Sequence, residues 1–210
     1  MTTRQSLASF TAPVRPVAWT IVPLAPLLLI LEEVVGTFIA SLAVMAAFWV
    51  LARRVTSARS VRVPHIRWLT GALTMSLLTA AVSGLAYTAW TAFRILPDPL
   101  ASSPYVPLGT GDPATAGILA GTFAVVAVVI LACAWAGIAL GVIHARFGGY
   151  AAAATLIGCC VVLLAAVIAI PDDLNPGRSM DAPVPAVFVL LLPLAAAGFI
   201  VTAALTRRIR

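Results

Sequence analysis

TAGILAGTFAVVAVVILACAWAGIALGVIHARFGGYAAAATLIGCCVVLLAAVIAI, residues 115–170, decides the fold. Two uncharged apolar runs, 115–143 and 150–170, flank the short basic stretch His144–Gly149. A helix rises about 1.5 Å per residue and a hydrocarbon core is about 30 Å thick, so about 20 apolar residues suffice to cross it. Each run meets that length, and the first has enough to spare to tilt or protrude. The bilayer core holds no water, so backbone N–H and C=O groups must be bonded within the segment, which points to an α-helix for both runs. The pair reads as a helical hairpin that crosses a membrane and returns.

Working outward, residues 184–205 form another apolar run after the polar stretch 171–183, and residues 68–93 form one before the proline-rich stretch 94–114. Residues 17–52 are apolar apart from Glu32 and Glu33, with Gly36 just beyond. As one helix this block would reach about 54 Å, far beyond a single crossing. It reads instead as two short helices, 17–31 and 36–52, joined by a tight outer hairpin. The expected fold is an all-α integral membrane protein of one domain, with six spans at about 17–31, 36–52, 68–93, 115–143, 150–170 and 184–205. The opening residues do not read as a cleaved signal peptide, because Arg4 is followed by a polar stretch and no small-residue cleavage pattern follows the first apolar run.

Charge orients this arrangement. All thirteen basic residues are Arg. Six spans put Arg4, Arg15, Arg53, Arg54, Arg59, Arg62, Arg67, Arg146, Arg207, Arg208 and Arg210 on one side. The seven acidic residues fall on the other, accompanied by Arg94 and Arg178. Arginine in short loops marks the cytoplasmic face, so both termini are expected inside and residues 94–114 and 171–183 outside. Trp49 and Trp68 flank the inner segment 53–67 as expected interfacial anchors.

Composition agrees with a membrane class: 62% of residues are hydrophobic and 10% charged, against about 25% charged in soluble domains. The expected location is the cell membrane of a bacterium, as a multi-pass protein in contact with lipid. The net charge of +6 is spread over several loop ends, so it reads as a topological signal and not as a nucleic-acid surface. Cys133, Cys159 and Cys160 lie inside spans without CxxC spacing and read as small packing residues.

Small residues mark a packing stripe. Gly117 and Gly121, then Cys133, Gly137 and Gly141, recur at four-residue steps, which lets another backbone approach closely. Ala151, Ala154, Thr155 and Gly158 of the fifth span are the expected mate. Either contact within one subunit or a subunit interface accounts for the stripe.

Catalytic machinery is sparse. His65 and His144 stand in expected cytoplasmic turns with no second ligand at a suitable spacing, and no GxxxxGK[ST] loop is present. Glu32-Glu33 resembles the paired glutamates of CAAX-type intramembrane proteases, yet the later histidines of that family are missing. The chain is therefore expected not to be an enzyme, and to hold no metal or cofactor of its own. Two readings of Glu32 and Glu33 stand: a solvated hairpin tip, or an outer vestibule that handles substrate or protons. The Arg53–Arg67 run likewise reads either as an ordinary inner loop touching anionic lipid or as a contact for a partner protein.

Six spans, both ends inside and a basic segment between spans two and three together resemble the membrane subunits of ATP-binding-cassette exporters of the type-two permease family. AWAGIALGVIHARFGGYAAAATLIGCCVVLLAAVIAI, residues 134–170, is similar to that family's small-residue helix, basic turn and apolar helix. PDDLNPGRSMDAPVP, residues 171–185, stands in the place of its outer segment and TRRIR in that of its basic tail. Residues 1–16 depart from the family's amphipathic opening helix, showing only a thin Leu7, Phe10, Val14 spacing cut by Pro13 and Pro16. The resemblance implies a permease that exports a hydrophobic or amphipathic substrate. It also implies a separate cytoplasmic ATP-binding subunit carrying ATP and Mg, and a second permease copy or a related one. Arg53, Arg54, Arg59, Arg62, His65, Arg67, His144 and Arg146 would then meet the ATPase. A non-transporting accessory or anchoring subunit of a larger complex is the competing expectation.

Overall fold

The computed structural model describes residues 33–53, 64–95, 113–169 and 183–207, together with Thr20 and Ala25. Its five helices are α1 (Glu33–Ala52), α2 (His65–Ile95), α3 (Pro113–Phe147), α4 (Gly149–Ala169) and α5 (Pro183–Arg207). Within α2 and α3, His65–Phe93 and Leu119–Phe147 are each long and apolar enough to cross a membrane. Shorter apolar stretches cover Ile39–Ala52, Gly149–Cys160 and Leu191–Arg207. The expected first span, 17–31, lies outside the described residues except for Thr20 and Ala25, and Ala25 is buried in the core. Most of 94–114 and 171–183 lies outside them as well.

Several helix ends differ from the sequence expectation. α1 begins at Glu33, so Gly36 stands inside the helix and not at its threshold. α3 runs on to Phe147, which moves His144 and Arg146 from a turn into its last helical turn. Cations are favoured there, beside the unpaired carbonyls. The turn itself shrinks to Gly148, whose φ of 87° suits glycine because it has no Cβ. Its N–H donates to the His144 carbonyl at 2.9 Å, closing α3, and its own carbonyl accepts from Ala152 N–H as α4 begins.

α3 is the hub, packed against all four other helices. Val126, Ile130, Ala134, Trp135, Ile138 and Val142 of α3 are buried, with Val44, Phe48 and Leu51 from α1 and Met75 from α2. Interior hydroxyls are largely satisfied within their own helices. Thr79 donates to Met75 O at 2.9 Å, Thr202 to Gly198 O at 2.7 Å and Thr206 to Thr202 O at 2.7 Å. Such back-bonding lets a polar side chain sit among apolar helices without a missing partner.

Candidate functional site: a basic end face

Helix register determines which charges come together. Cys133 of α3 lies beside the Ser41 hydroxyl of α1. A Cβ at Gly137 would fall 3.0 Å from the Met45 carbonyl carbon. One at Gly141 would fall 2.6 Å from Trp49 O and from Ala52 Cβ, and 2.9 Å from Arg53 N. Contacts advance together along both chains, four residues at a step, so α1 and α3 run in the same direction. α5 follows suit: a Cβ at Gly198 would lie 3.0 Å from Trp135 O, and Phe199 meets the Trp135 ring edge-on at 5.0 Å. Farther along, Arg146 Nη1 donates to Leu205 O at 3.3 Å.

α2 runs the other way. Gly84 faces Phe123, whose ring would lie 2.9 Å from an added Cβ. The buried side of α2 (Trp68, Ala72, Met75, Ser76, Thr79, Ala80 and Ser83) lies before that contact, whereas the buried side of α3 lies after it, from Val126 to Val142. Only an antiparallel pair lays these two stretches against each other. The start of α2 therefore lies at the same end of the bundle as the last turns of α1, α3 and α5.

One end thus gathers Arg53, His65, Arg67, Arg146 and Arg207, all exposed. Arg146 is held by Leu205 O and by the Phe147 ring, 5.1 Å beneath its guanidinium. His144 has a different setting from its neighbours. Its ring meets Trp49 edge-on at 5.8 Å, and Gly149 lies beside it, where an added Cβ would be 3.4 Å from Cε1. Neither His144 Nδ1 nor Trp49 Nε1, both buried, has a hydrogen-bond partner among the described residues. His144 therefore links α3 to α1 and does not project outward. Arg54, Arg59, Arg62 and Glu32 lie outside the described residues, and of Glu33 only the helical backbone is described.

The small-residue stripe requires a correction. Its close partner is α1, through Gly137 and Gly141, and not the fifth span. Gly117, Gly121 and Gly158 have nothing within 4 Å of an added Cβ. In α4 Ala152 is buried, but Ala153, Ala154, Ile157 and Gly158 are exposed. With α1 seated on the glycines of α3, that face is filled. Trp68 departs from its expected role too: it is 3% exposed and packs in the core, while Phe147 and Tyr150 are the exposed aromatics at this end. Sequence reading missed the close approaches at Gly84 and Gly198. The GxxxT spacing of Gly198 and Thr202 was the available signal for the second.

Among the described residues, no three His, Cys, Asp or Glu side chains converge as a metal site would require. Among the described residues, fold and site together define an all-helical arrangement with two helices of membrane-spanning length and a basic, arginine-lined end. Comparisons with protein-family models, curated proteins and solved structures return no match.

Proposed function

We propose that the chain is the membrane-spanning permease subunit of an ATP-binding-cassette transporter, moving a hydrophobic or amphipathic substrate outward on energy from a separate cytoplasmic ATPase. In this reading six helices cross the cell membrane with both termini and the basic end face inside. The observation that carries it is the seating of the last turns of α1 on Gly137 and Gly141 of α3. Residues 53–67 follow directly in sequence from that contact. A load applied to this segment reaches the hub helix through backbone contact, which side-chain rotation cannot absorb. From α3 it passes to α5 through Trp135 and Arg146.

Arg53, Arg54, Arg59, Arg62, His65 and Arg67 would face the ATPase, whose complementary surface would be acidic. His144 would act inside the bundle by coupling α3 to Trp49. Two permeases, identical or related, would enclose the path, and ATP-driven closure of the ATPases would shift the balance between inward-open and outward-open states. Glu32 and Glu33 would border the outer mouth.

Affinity purification of the tagged chain from its native membrane tests this reading. The expected result is recovery of a P-loop ATPase whose ATP turnover changes when Arg59→Glu and Arg62→Glu are introduced together. Recovery alone, or with partners that lack an ATPase, would reject the permease and favour the accessory-subunit reading.

A further inference from the structure

The turn between α3 and α4 carries two exposed aromatic rings that the transport reading does not use, next to Arg146, which it does. Tyr150 is 96% exposed and Phe147 58% exposed, on either side of Gly148 and Gly149. Both stand at the end of an apolar bundle, where a water-facing site would disfavour such large rings. Arg146 is clamped between the Phe147 ring and Leu205 O, in the last turn of α5, which places it near Arg207. No acidic residue is near these arginines in sequence: Asp172 and Asp181 are the closest, 26 positions beyond Arg146 and 26 before Arg207. One fixed guanidinium on an aromatic ring, with a second exposed arginine and an exposed tyrosine at the same end of the bundle, matches the chemistry of a lipid interface.

We infer that Arg146, Arg207, Phe147 and Tyr150 form a docking surface for the phosphate headgroup of an anionic phospholipid at the inner leaflet. The guanidiniums carry two positive charges to the phosphate. The Tyr150 and Phe147 rings lie along the upper acyl chain and glycerol. Charge complementarity selects an anionic over a zwitterionic lipid, because the choline of the latter would meet the same two arginines. This inference rests on the membrane-embedded reading of the helices, but not on the presence of an ATPase.

Full-length chain reconstituted in vesicles of phosphatidylcholine, with and without phosphatidylglycerol, tests it after extraction and native mass spectrometry of retained lipid. Resistance of the wild-type chain to alkaline extraction from pure phosphatidylcholine checks membrane embedding separately. Wild type is expected to retain phosphatidylglycerol in preference to phosphatidylcholine. At about 1 kcal/mol for each arginine near the surface, the preference should fall about five-fold for R146Q and about twenty-five-fold for R146Q/R207Q. R146K/R207K keeps the charge and should retain most of the preference, which separates lipid binding from a folding defect. Equal retention of the two lipids by wild type would overturn the inference. So would an undiminished preference in R146Q/R207Q, or displacement of the lipid by millimolar inorganic phosphate, which would make this a free-anion site.

Discussion

Replacing Gly141 with alanine probes the contact on which the register of the bundle depends. The added Cβ would lie 2.6 Å from Trp49 O and Ala52 Cβ and 2.9 Å from Arg53 N. Non-bonded heavy atoms rest at about 3.5–4.0 Å, so α1 would have to withdraw by roughly 1 Å. Two of these three atoms are backbone, and the third is a Cβ with no rotamer to change. A gap of that size forfeits about a quarter to a half of each contact's attraction, and overpacking in well-filled interiors costs about 1–3 kcal/mol. The better helix propensity of alanine returns up to about 1 kcal/mol. In the proposed membrane setting there is no hydrophobic term to compensate, because acyl chains are as apolar as the residues they replace. The net expectation is a loss of about 1–2 kcal/mol for G141A, and a similar loss for G137A. Refolding in mixed micelles titrated with denaturing detergent and followed by tryptophan fluorescence reads this directly. G141A matching wild type within about 0.5 kcal/mol would refute the close α1–α3 contact.

Gly117→Ala and Gly158→Ala, whose added Cβ atoms meet nothing within 4 Å, should leave stability unchanged or raise it by up to about 1 kcal/mol in the same titration. Ser41→Cys should cross-link to native Cys133 under mild oxidation when Cys159 and Cys160 are alanine, shown by a gel-mobility shift reversed by reductant; Leu42→Cys, on an exposed face, should not. Ser83 Oγ is buried without a hydrogen-bond partner among the described residues, so Ser83→Ala should stabilise the fold by about 1 kcal/mol. Trp49→Phe should be close to neutral because Nε1 has no partner there, whereas Trp49→Ala loses the edge contact with His144 and should cost about 1–2 kcal/mol.

Much of the helical arrangement is legible in the sequence because each apolar run must be long enough to matter in a bilayer and must end at charge, proline or glycine. The stripe Cys133, Gly137 and Gly141 is legible for a related reason: small residues at four-residue steps permit close backbone approach. Its mate is not, since helices that are apolar all round give no amphipathic face to match. Sequence proximity favoured the fifth span, yet one residue, Gly148, forms the whole turn and most of the described part of α4 remains exposed. Trp68 misled similarly, because an aromatic at a segment end reads as an interfacial anchor whether it turns outward or inward. α3 extends past the end its apolar run suggests: His144 and Arg146 belong to its last turn, which Gly148 N–H closes on the His144 carbonyl. The basic end face itself was foreshadowed by charge segregation, while the contacts that assemble it run between helices distant in sequence.

The account rests on α1, α3 and α5 running in parallel from the outer face of the membrane to the inner one. Thiol labelling in intact cells tests this most directly, with single cysteines at positions 34 and 207 in a background lacking Cys133, Cys159 and Cys160. The account predicts that a membrane-impermeant reagent labels position 34 in intact cells and reaches position 207 only after the membrane is opened. Labelling of both from outside, or of neither before opening, would contradict it.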